Sequence, residues 1–283
     1  MNGFGYKAVV LCALGALAGG CTEAAGLGAA LEPAALRDDA RASVSGTLPG
    51  SGGQNGLLPV DFHASKGAFF ATLALPLYIE GSLGPAASEL VSTQAGRSTF
   101  SYALQCAPPA GKCVGKGPGA CDGGLLATTD AWENQGLGND VAGQAARADL
   151  FACVATHLNA TGETVPFRLT GAAVRNEEGF DPSAFVFQEA LWLATPGTSK
   201  ASPVSFDVWP LADLSNHCGT TRALASLERQ ICGDDLTGCQ LRLRTDLGAC
   251  ETDETGSTTC DGRRAIKTWL KTEDVAKRHP LCD

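Results

Sequence analysis

The sequence predicts a disulfide-rich α+β fold, with a small helix pair beside short antiparallel strands. Three observations predict it. From about Asp140 to Leu158, apolar side chains recur at intervals of three and four residues, which is the period of a helix. Val165, Phe167 and Leu169 alternate with polar residues, as in a half-buried strand. The 283-residue chain also contains 12 cysteines, which favours an oxidising compartment.

The N-terminus has the pattern of a secretory signal. Lys7 precedes an uncharged, mostly apolar run from Ala8 to Gly20. A helix of this length rises roughly 20 Å, which is short of the roughly 30 Å hydrocarbon core of a bilayer. A charged start, a short apolar middle and small residues at the end are typical of a signal peptide. We therefore assign residues 1–20 to a signal peptide.

The signal ends in Leu17-Ala18-Gly19-Gly20-Cys21. This stretch resembles the lipobox of bacterial lipoproteins, although Leu17 lies one position earlier than in the commonest pattern. The resemblance implies that Cys21 receives a diacylglyceryl group and a further acyl chain such as palmitate after cleavage. Several acyl chains would hold the protein firmly to a membrane. Thr22, where an Asp would favour the inner membrane, indicates the outer membrane. An ordinary signal peptide is the alternative.

The amino-acid composition restricts the kinds of partner that we expect the protein to bind. The chain has 21 basic and 30 acidic residues, a formal charge of −9. Loss of the signal removes one lysine and no acid, so the mature chain is one unit more negative. Nucleic-acid-binding proteins need basic patches to neutralise phosphates, so we expect no nucleic-acid partner. The apolar content is sufficient for a core of its own.

Ten cysteines remain after Cys12 is lost with the signal and Cys21 is lipidated. An even number in an exported chain predicts up to five disulfides. Connectivity stays open, because ten cysteines allow about 945 pairings. No Cys-x-x-Cys occurs, which disfavours zinc binding and thiol redox catalysis. The ten are Cys106, Cys113, Cys121, Cys153, Cys218, Cys232, Cys239, Cys250, Cys260 and Cys282.

Three regions follow from these patterns. Residues 1–20 are the signal, and residues 21–56 are a flexible tether because they are rich in Ala, Gly and Ser. Residues 57–283 form the disulfide-rich domain. The density of cysteines from about residue 212 also allows a small C-terminal lobe.

Within the domain, Asp140 is predicted to cap the best helix. Two helices are expected earlier, one from Pro85 to Ala95, ended by Gly96, and one capped by Ser98 and ending at Cys106. Another, capped by Thr220, is expected to stop at Gly233. The segment from Phe69 to Ile79 fits either a strand or a short helix. Further short strands are expected at Phe185–Phe187, Phe206–Trp209, Leu241–Leu243 and, as a closing strand, Ile266–Leu270.

A second resemblance covers about residues 85–195. It is carried by Phe100-Ser101-Tyr102-Ala103-Leu104-Gln105-Cys106-Ala107, by Gly123-Gly124-Leu125 with Trp132, and by Ala152-Cys153-Val154-Ala155. These segments are similar to those of a group of exported myxobacterial lipoproteins of uncharacterised function. The resemblance implies location and a coherent fold, and it carries no catalytic set.

The remaining motifs give few candidates for chemistry. His-Glu-x-x-His and Gly-x-Ser-x-Gly are both absent. Glu189 lies between Phe187 and Trp192, where an apolar setting would raise its pKa and suit a general acid. The alternative is that Glu189 faces solvent or pairs with an arginine. His157 and Asp61 are the other acid–base candidates, with a structural role at a helix end favoured for His157.

We expect neither a cofactor nor a metal. Asp253, Glu254 and Asp261 are acidic neighbours, but they lack the order of a calcium loop. The sequence therefore predicts a lipid-anchored envelope protein that acts as a non-enzymatic binding or structural module. It would be attached to a membrane by its lipid and would contact a protein or glycan. The alternative is a secreted or periplasmic hydrolase acting on glycan or peptide.

Overall fold

A computed structural model describes residues 52–54, 56–79, 82–107, 126, 132, 135–174, 182–234 and 238–282. The signal peptide, Cys21 and nearly all of the predicted tether lie outside these residues, as do Cys113 and Cys121. The described helices are α1 (Pro59–Leu73), α2 (Pro85–Val91), α3 (Gln94–Cys106), α4 (Val141–Thr156), α5 (Ala212–Cys218), α6 (Thr220–Cys232) and α7 (Val275–Arg278). No helix in this part of the chain is long and apolar enough to cross a membrane.

The described strands are β1 (Gly52–Gln54), β2 (Tyr78–Ile79), β3 (Ser82–Leu83), β4 (Pro166–Thr170), β5 (Phe187–Ser199), β6 (Ser202–Pro210), β7 (Leu241–Leu243), β8 (Cys250–Thr252), β9 (Thr258–Cys260) and β10 (Arg263–Leu270). The main sheet has the order β1-β4-β10-β5-β6-β7, with β9 pairing both β10 and β8. Strands β2 and β3 form a separate hairpin. The predicted disulfide-rich α+β class is confirmed.

Strand β10 decides how the C-terminal region joins the domain. It pairs with β4 on one side and β5 on the other, both antiparallel. The sequence predicted a closing strand at Ile266–Leu270, and the structure has a strand there. That strand lies inside the sheet and not at its edge. Residues after 212 therefore contribute part of the central sheet.

The two faces of the sheet bury different side chains. On one face, Ala190, Trp192 and Ala194 of β5 join the main core, against which α4 packs. Leu191 and Leu193 point to the opposite face, as the two-residue period of a strand requires. There they form a smaller cluster with Trp209, Leu211, Ala265 and Cys260. Both faces of β5 are thus buried, which explains its run of apolar residues.

Asp140 caps α4 as predicted, since its Oδ1 accepts the Gly143 N–H at 2.9 Å. The prediction for α3 was wrong. Thr93 and not Ser98 caps this helix, with its Oγ1 accepting the Gly96 N–H at 3.0 Å. Gly96 lies inside the first turn and is buried. A Cβ at this position would come within 1.7 Å of the Leu90 carbonyl oxygen. The glycine therefore permits close packing of α2 on α3 and does not end a helix.

Two other boundaries need correction. Gly219, with φ +76°, precedes α6, so Thr220 is its first residue and makes no side-chain cap. Gly233 ends that helix at φ +70°, as predicted. The segment from Phe69 to Ile79 is divided between α1, which ends at Leu73, and β2.

The first residues that the structure describes also differ from the prediction. Gly52–Gln54, assigned to the tether, pair with β4 as β1. The Gly56 and Leu57 N–H groups then both donate to the His157 carbonyl, at 3.0 and 3.1 Å. The tether boundary near residue 56 was therefore a few residues late.

Within the described part of the chain, four disulfides join eight of the predicted cysteines. Cys106–Cys153 links the end of α3 to α4, and Cys218–Cys282 ties the C-terminal segment to α5. Cys232–Cys239 closes the loop after α6. Cys250–Cys260 joins directly paired residues of β8 and β9, so the acidic segment between them forms a hairpin. Disulfide formation is confirmed for these eight residues.

Candidate functional site

The site begins with an irregularity in β5. Ala190 pairs with Thr268 and Gln188 pairs with Trp269, so Glu189 is an extra residue without a partner on β10. This is a β-bulge, which re-aims a side chain from its regular direction. Glu189 is fully buried, and its contacts are with the C-terminal segment of the chain. The bulge thus brings one carboxylate into the interior.

Arg278, the last residue of α7, neutralises that carboxylate. Its Nε donates to Glu189 Oε1 at 2.7 Å, and both side chains are fully buried. Its Nη1 donates to the Leu158 carbonyl at 2.8 Å and its Nη2 to the Thr156 carbonyl at 3.0 Å. The last carbonyls of a helix lack partners within the helix and carry partial negative charge. Arg278 therefore pairs with Oε1 of the carboxylate and satisfies two carbonyls at the end of α4, whereas Glu189 Oε2 has no hydrogen-bond partner among the described residues.

His279 makes the second contact with Glu189. Its Nε2 lies 3.0 Å from Glu189 Oε1, and its Nδ1 lies 2.9 Å from Ser226 Oγ. Gln230 Nε2 is also 3.2 Å from Nδ1 and donates to the Arg278 carbonyl at 2.7 Å. Because Nδ1 faces two donors, we assign it as the acceptor and place the proton on Nε2, where it is donated to Glu189.

The electrostatics agree with this assignment. Burial tends to raise the pKa of Glu189, but the Arg278 charge and the hydrogen bond from His279 outweigh it and lower this pKa to about 2. Burial lowers the pKa of His279, against the opposing effect of Glu189, and Arg278 lowers it further. The group therefore consists of an ionised carboxylate, a guanidinium and a neutral imidazole. A general acid requires the reverse, a carboxyl whose pKa is raised.

The arrangement of Ser226, His279 and Glu189 nevertheless has the order of a nucleophile relay. The imidazole can accept the hydroxyl proton while the carboxylate orients it. A small surface depression is lined in part by Ser226, Gln230 and Arg278. Ser226, however, is only 2 % exposed. Arg278 already compensates the Glu189 charge that would otherwise stabilise an imidazolium.

The structure places the other two candidates elsewhere. The His157 ring packs between Tyr102 and Phe167, with centroid distances of 4.9 and 5.0 Å. Asp61 lies in the first turn of α1, where a negative charge favours the helix dipole. The hydrogen bonds described for Glu189 are with Arg278 and His279 and include neither His157 nor Asp61.

A second buried acid lies on α4. Asp149 is 2 % exposed and forms an ion pair with Arg264 at the start of β10. Burial raises its pKa to about 7, although the Arg264 charge acts in the opposite direction. Asp149 therefore changes charge near neutral pH, which sequence analysis did not identify.

Among the described residues, one group of side chains has the spacing of metal ligands. Ligand atoms of Cys106, Cys153 and His157 lie within 4.8 Å of one another and are buried. The two sulfurs are joined in a disulfide and therefore offer no thiolate.

In the acidic hairpin, Asp253 Oδ1 accepts hydrogen bonds from Thr255 and Ser257, which stabilise the turn.

The sequence singles out Glu189, but no pattern in it points to Arg278, His279, Ser226 or Gln230. One signal was present: Arg278 and His279 precede Cys282, whose predicted disulfide would hold the C-terminal segment against the domain. The bulge that aims Glu189 at them has no sequence signal.

No protein-family model, curated protein or solved structure matches this chain. The resemblance to exported myxobacterial lipoproteins therefore stays a prediction.

Proposed function

We propose that this chain is a lipid-anchored protein of a bacterial envelope, with a disulfide-braced domain that binds or supports other envelope components. The anchor is Cys21 and the location is the outer membrane, facing the periplasm or the exterior. A protein or a glycan is the partner. The four disulfides among the described residues support an oxidising compartment outside the cytoplasm.

One observation carries the non-enzymatic part of the proposal. Glu189, the strongest acid–base candidate in the sequence, is held as a buried anion by Arg278 and His279. Its low pKa suits a permanent counter-ion and not a group that exchanges protons near neutral pH. The residue therefore joins β5 to the C-terminal segment and to the end of α4.

Membrane fractionation tests the anchor. The full chain and Cys21→Ala are expressed in a bacterium that processes lipoproteins and are supplied with a labelled fatty acid. We expect the parent protein in the membrane fraction with label, and the variant without label and outside that fraction. Cys12→Ala is the control, because that cysteine is removed with the signal. Equal labelling of the parent and Cys21→Ala would refute the anchor.

A second candidate is a hydrolase that cleaves an acyl bond, favoured by the relay from Ser226 through His279 to Glu189. Ser226 Oγ would attack a carbonyl carbon while His279 Nδ1 takes the hydroxyl proton. The acyl bond would break as His279 returns that proton to the leaving group, and water would then hydrolyse the acyl group from Ser226. A fluorophosphonate, which reacts with activated serines, distinguishes the two candidates. Labelling that is lost in Ser226→Ala and kept in the exposed-site control Ser88→Ala would favour the hydrolase. Absence of labelling on folded protein supports the binding module.

A further inference from the structure

A second arrangement of charges lies on the sheet, away from Glu189. Asp207 is in β6 and pairs with Leu193 of β5 and Arg242 of β7. Its side chain is only 3 % exposed. It shares a face with Trp209, two residues further along the same strand, and with the small apolar cluster. The carboxylate is thus fixed at the border of a packed region.

Three arginines surround this one carboxylate. Arg242 Nη2 donates to Asp207 Oδ2 at 2.7 Å. Arg244 Nη1 lies 3.7 Å from Oδ1, and Arg263 Nη2 lies 4.0 Å from Oδ2. Oδ1 itself has no hydrogen-bond partner among the described residues. Three cations against one anion leave two positive charges in excess on a protein whose overall charge is negative.

The three arginine side chains are held in place but keep a large part of their surface exposed to solvent. Their side chains are 60 %, 39 % and 38 % exposed for Arg242, Arg244 and Arg263. The Arg244 guanidinium lies 5.7 Å from the Trp209 ring centroid, and Arg263 donates to Thr195 Oγ1. Each guanidinium has five N–H donors, so most remain available to solvent or ligand. Asp246, two residues after Arg244, forms no ion pair with these three arginines, and its Oδ1 accepts the Gly248 N–H at 2.7 Å.

We propose that Arg242, Arg244 and Arg263 form a binding site for a phosphate monoester, with Asp207 as the residue that holds them together. Guanidinium groups bind phosphate oxygens through paired, charge-assisted hydrogen bonds. A phosphate monoester carries a charge of roughly −1.5 to −2 near neutral pH, which matches the excess charge. A carboxylate would neutralise only half of it.

This site names a ligand class for the binding function proposed above and rests on that function. The acidic remainder of the chain disfavours a long polyanion such as nucleic acid, because repulsion would act along most of its length. A single phosphate group on a glycan or other small carrier meets only the local positive charge. Failure of phosphate binding would leave the result for Cys21 unchanged, so the two proposals fail separately.

Calorimetric titration of the oxidised full-length protein tests the site. The probes are inorganic phosphate, glucose 6-phosphate and, as a control, glucose. We expect both phosphates to bind and glucose not to bind, with affinity that decreases as salt is raised. Arg242→Gln should weaken binding roughly tenfold or more, since it removes a charge-assisted contact. Arg229→Gln is the matched control, because that exposed arginine pairs with Asp234 elsewhere.

Asp207→Asn gives a second readout, which tests whether Asp207 holds the three arginines together. Losing that carboxylate should weaken phosphate binding in the folded variant, although the site becomes one charge more positive. Tighter binding would contradict the positioning role of Asp207. Binding of glucose 6-phosphate alone would assign the site to a phosphorylated glycan, whereas equal binding of inorganic phosphate would assign it to the phosphate group itself. No binding of either phosphate at about millimolar concentration, or equal affinity in the parent and Arg242→Gln, would overturn the proposal.

Discussion

Arg278 Nε donates to Glu189 Oε1 across 2.7 Å, with both side chains fully buried. The two residues are 89 positions apart. Their contact joins the bulge in β5 to the last helix, and Arg278 also binds two carbonyls at the end of α4. One guanidinium therefore connects three parts of the fold. A buried charge that keeps its partner is tolerated, but removal of one partner leaves the other uncompensated.

Glu189→Gln should destabilise the domain by about 3–5 kcal/mol, because it leaves Arg278 buried without its counter-ion. The change preserves shape, so the loss reports charge. Urea unfolding of the oxidised protein measures it. Glu251→Gln, on the exposed part of β8, is the control and should change the free energy by less than about 0.5 kcal/mol. A loss that small for Glu189→Gln would contradict the structural role.

The same pair predicts how stability responds to acid. The pKa of Glu189 is about 2 in the folded protein and near its ordinary value in the unfolded chain. The unfolded chain therefore binds more protons between these values, and stability falls as pH is lowered through this range. We expect Glu189→Gln to show a shallower loss between about pH 4.5 and pH 2. Identical acid profiles for the two proteins would be inconsistent with the ion pair.

Asp149 predicts the opposite dependence at higher pH. Its pKa is raised to about 7 by burial, so the folded state holds a proton that the unfolded chain has lost. Stability should therefore fall as pH rises from about 4 to 7. Asp149→Asn carries no titrating group and should remove this decline. Unfolding curves measured at several pH values compare the two proteins, and a decline of equal size in both would count against a raised pKa.

Gly96 provides a test of packing between α2 and α3. Within an open helix, glycine to alanine stabilises by roughly 1 kcal/mol. Here the new Cβ would meet the Leu90 carbonyl oxygen at 1.7 Å, so Gly96→Ala should instead destabilise the domain. Gln94→Ala, at an exposed position of the same helix, is the control. A gain in the midpoint of urea unfolding for Gly96→Ala would show that the two helices are not in close contact.

The extent of sequence-based prediction follows from the range of the interactions. Helix α4 was predicted because its periodicity and its Asp140 cap lie within a few residues of each other. Strand β4 was predicted from the alternation of Phe167 and Leu169. Thr93 was missed because Ser98 offers the same cap chemistry, and only the packing of Gly96 on α2 decides between them.

The candidate site depended on contacts between distant residues. The apolar neighbours of Glu189 single it out in the sequence, where pairing with an arginine is part of the alternative to a general acid. Its partners Arg278 and His279 are 89 and 90 positions away, and a bulge determines that they meet. Neither a contact between residues so far apart in the chain nor the bulge in β5 produces a local pattern in the sequence. The arginines around Asp207 could not be predicted either. Arg242 and Arg263 come close to β6 only when the strands assemble into the sheet.

Mass measurement of the intact protein, extracted from membranes without reductant, tests the central claim most directly. We expect a chain that begins at Cys21, carries two or three acyl chains and has no free thiol among its other ten cysteines. Fragmentation should also show the four linked pairs, Cys106–Cys153, Cys218–Cys282, Cys232–Cys239 and Cys250–Cys260. An unmodified Cys21, or several free thiols, would contradict a lipid-anchored protein of an oxidising envelope.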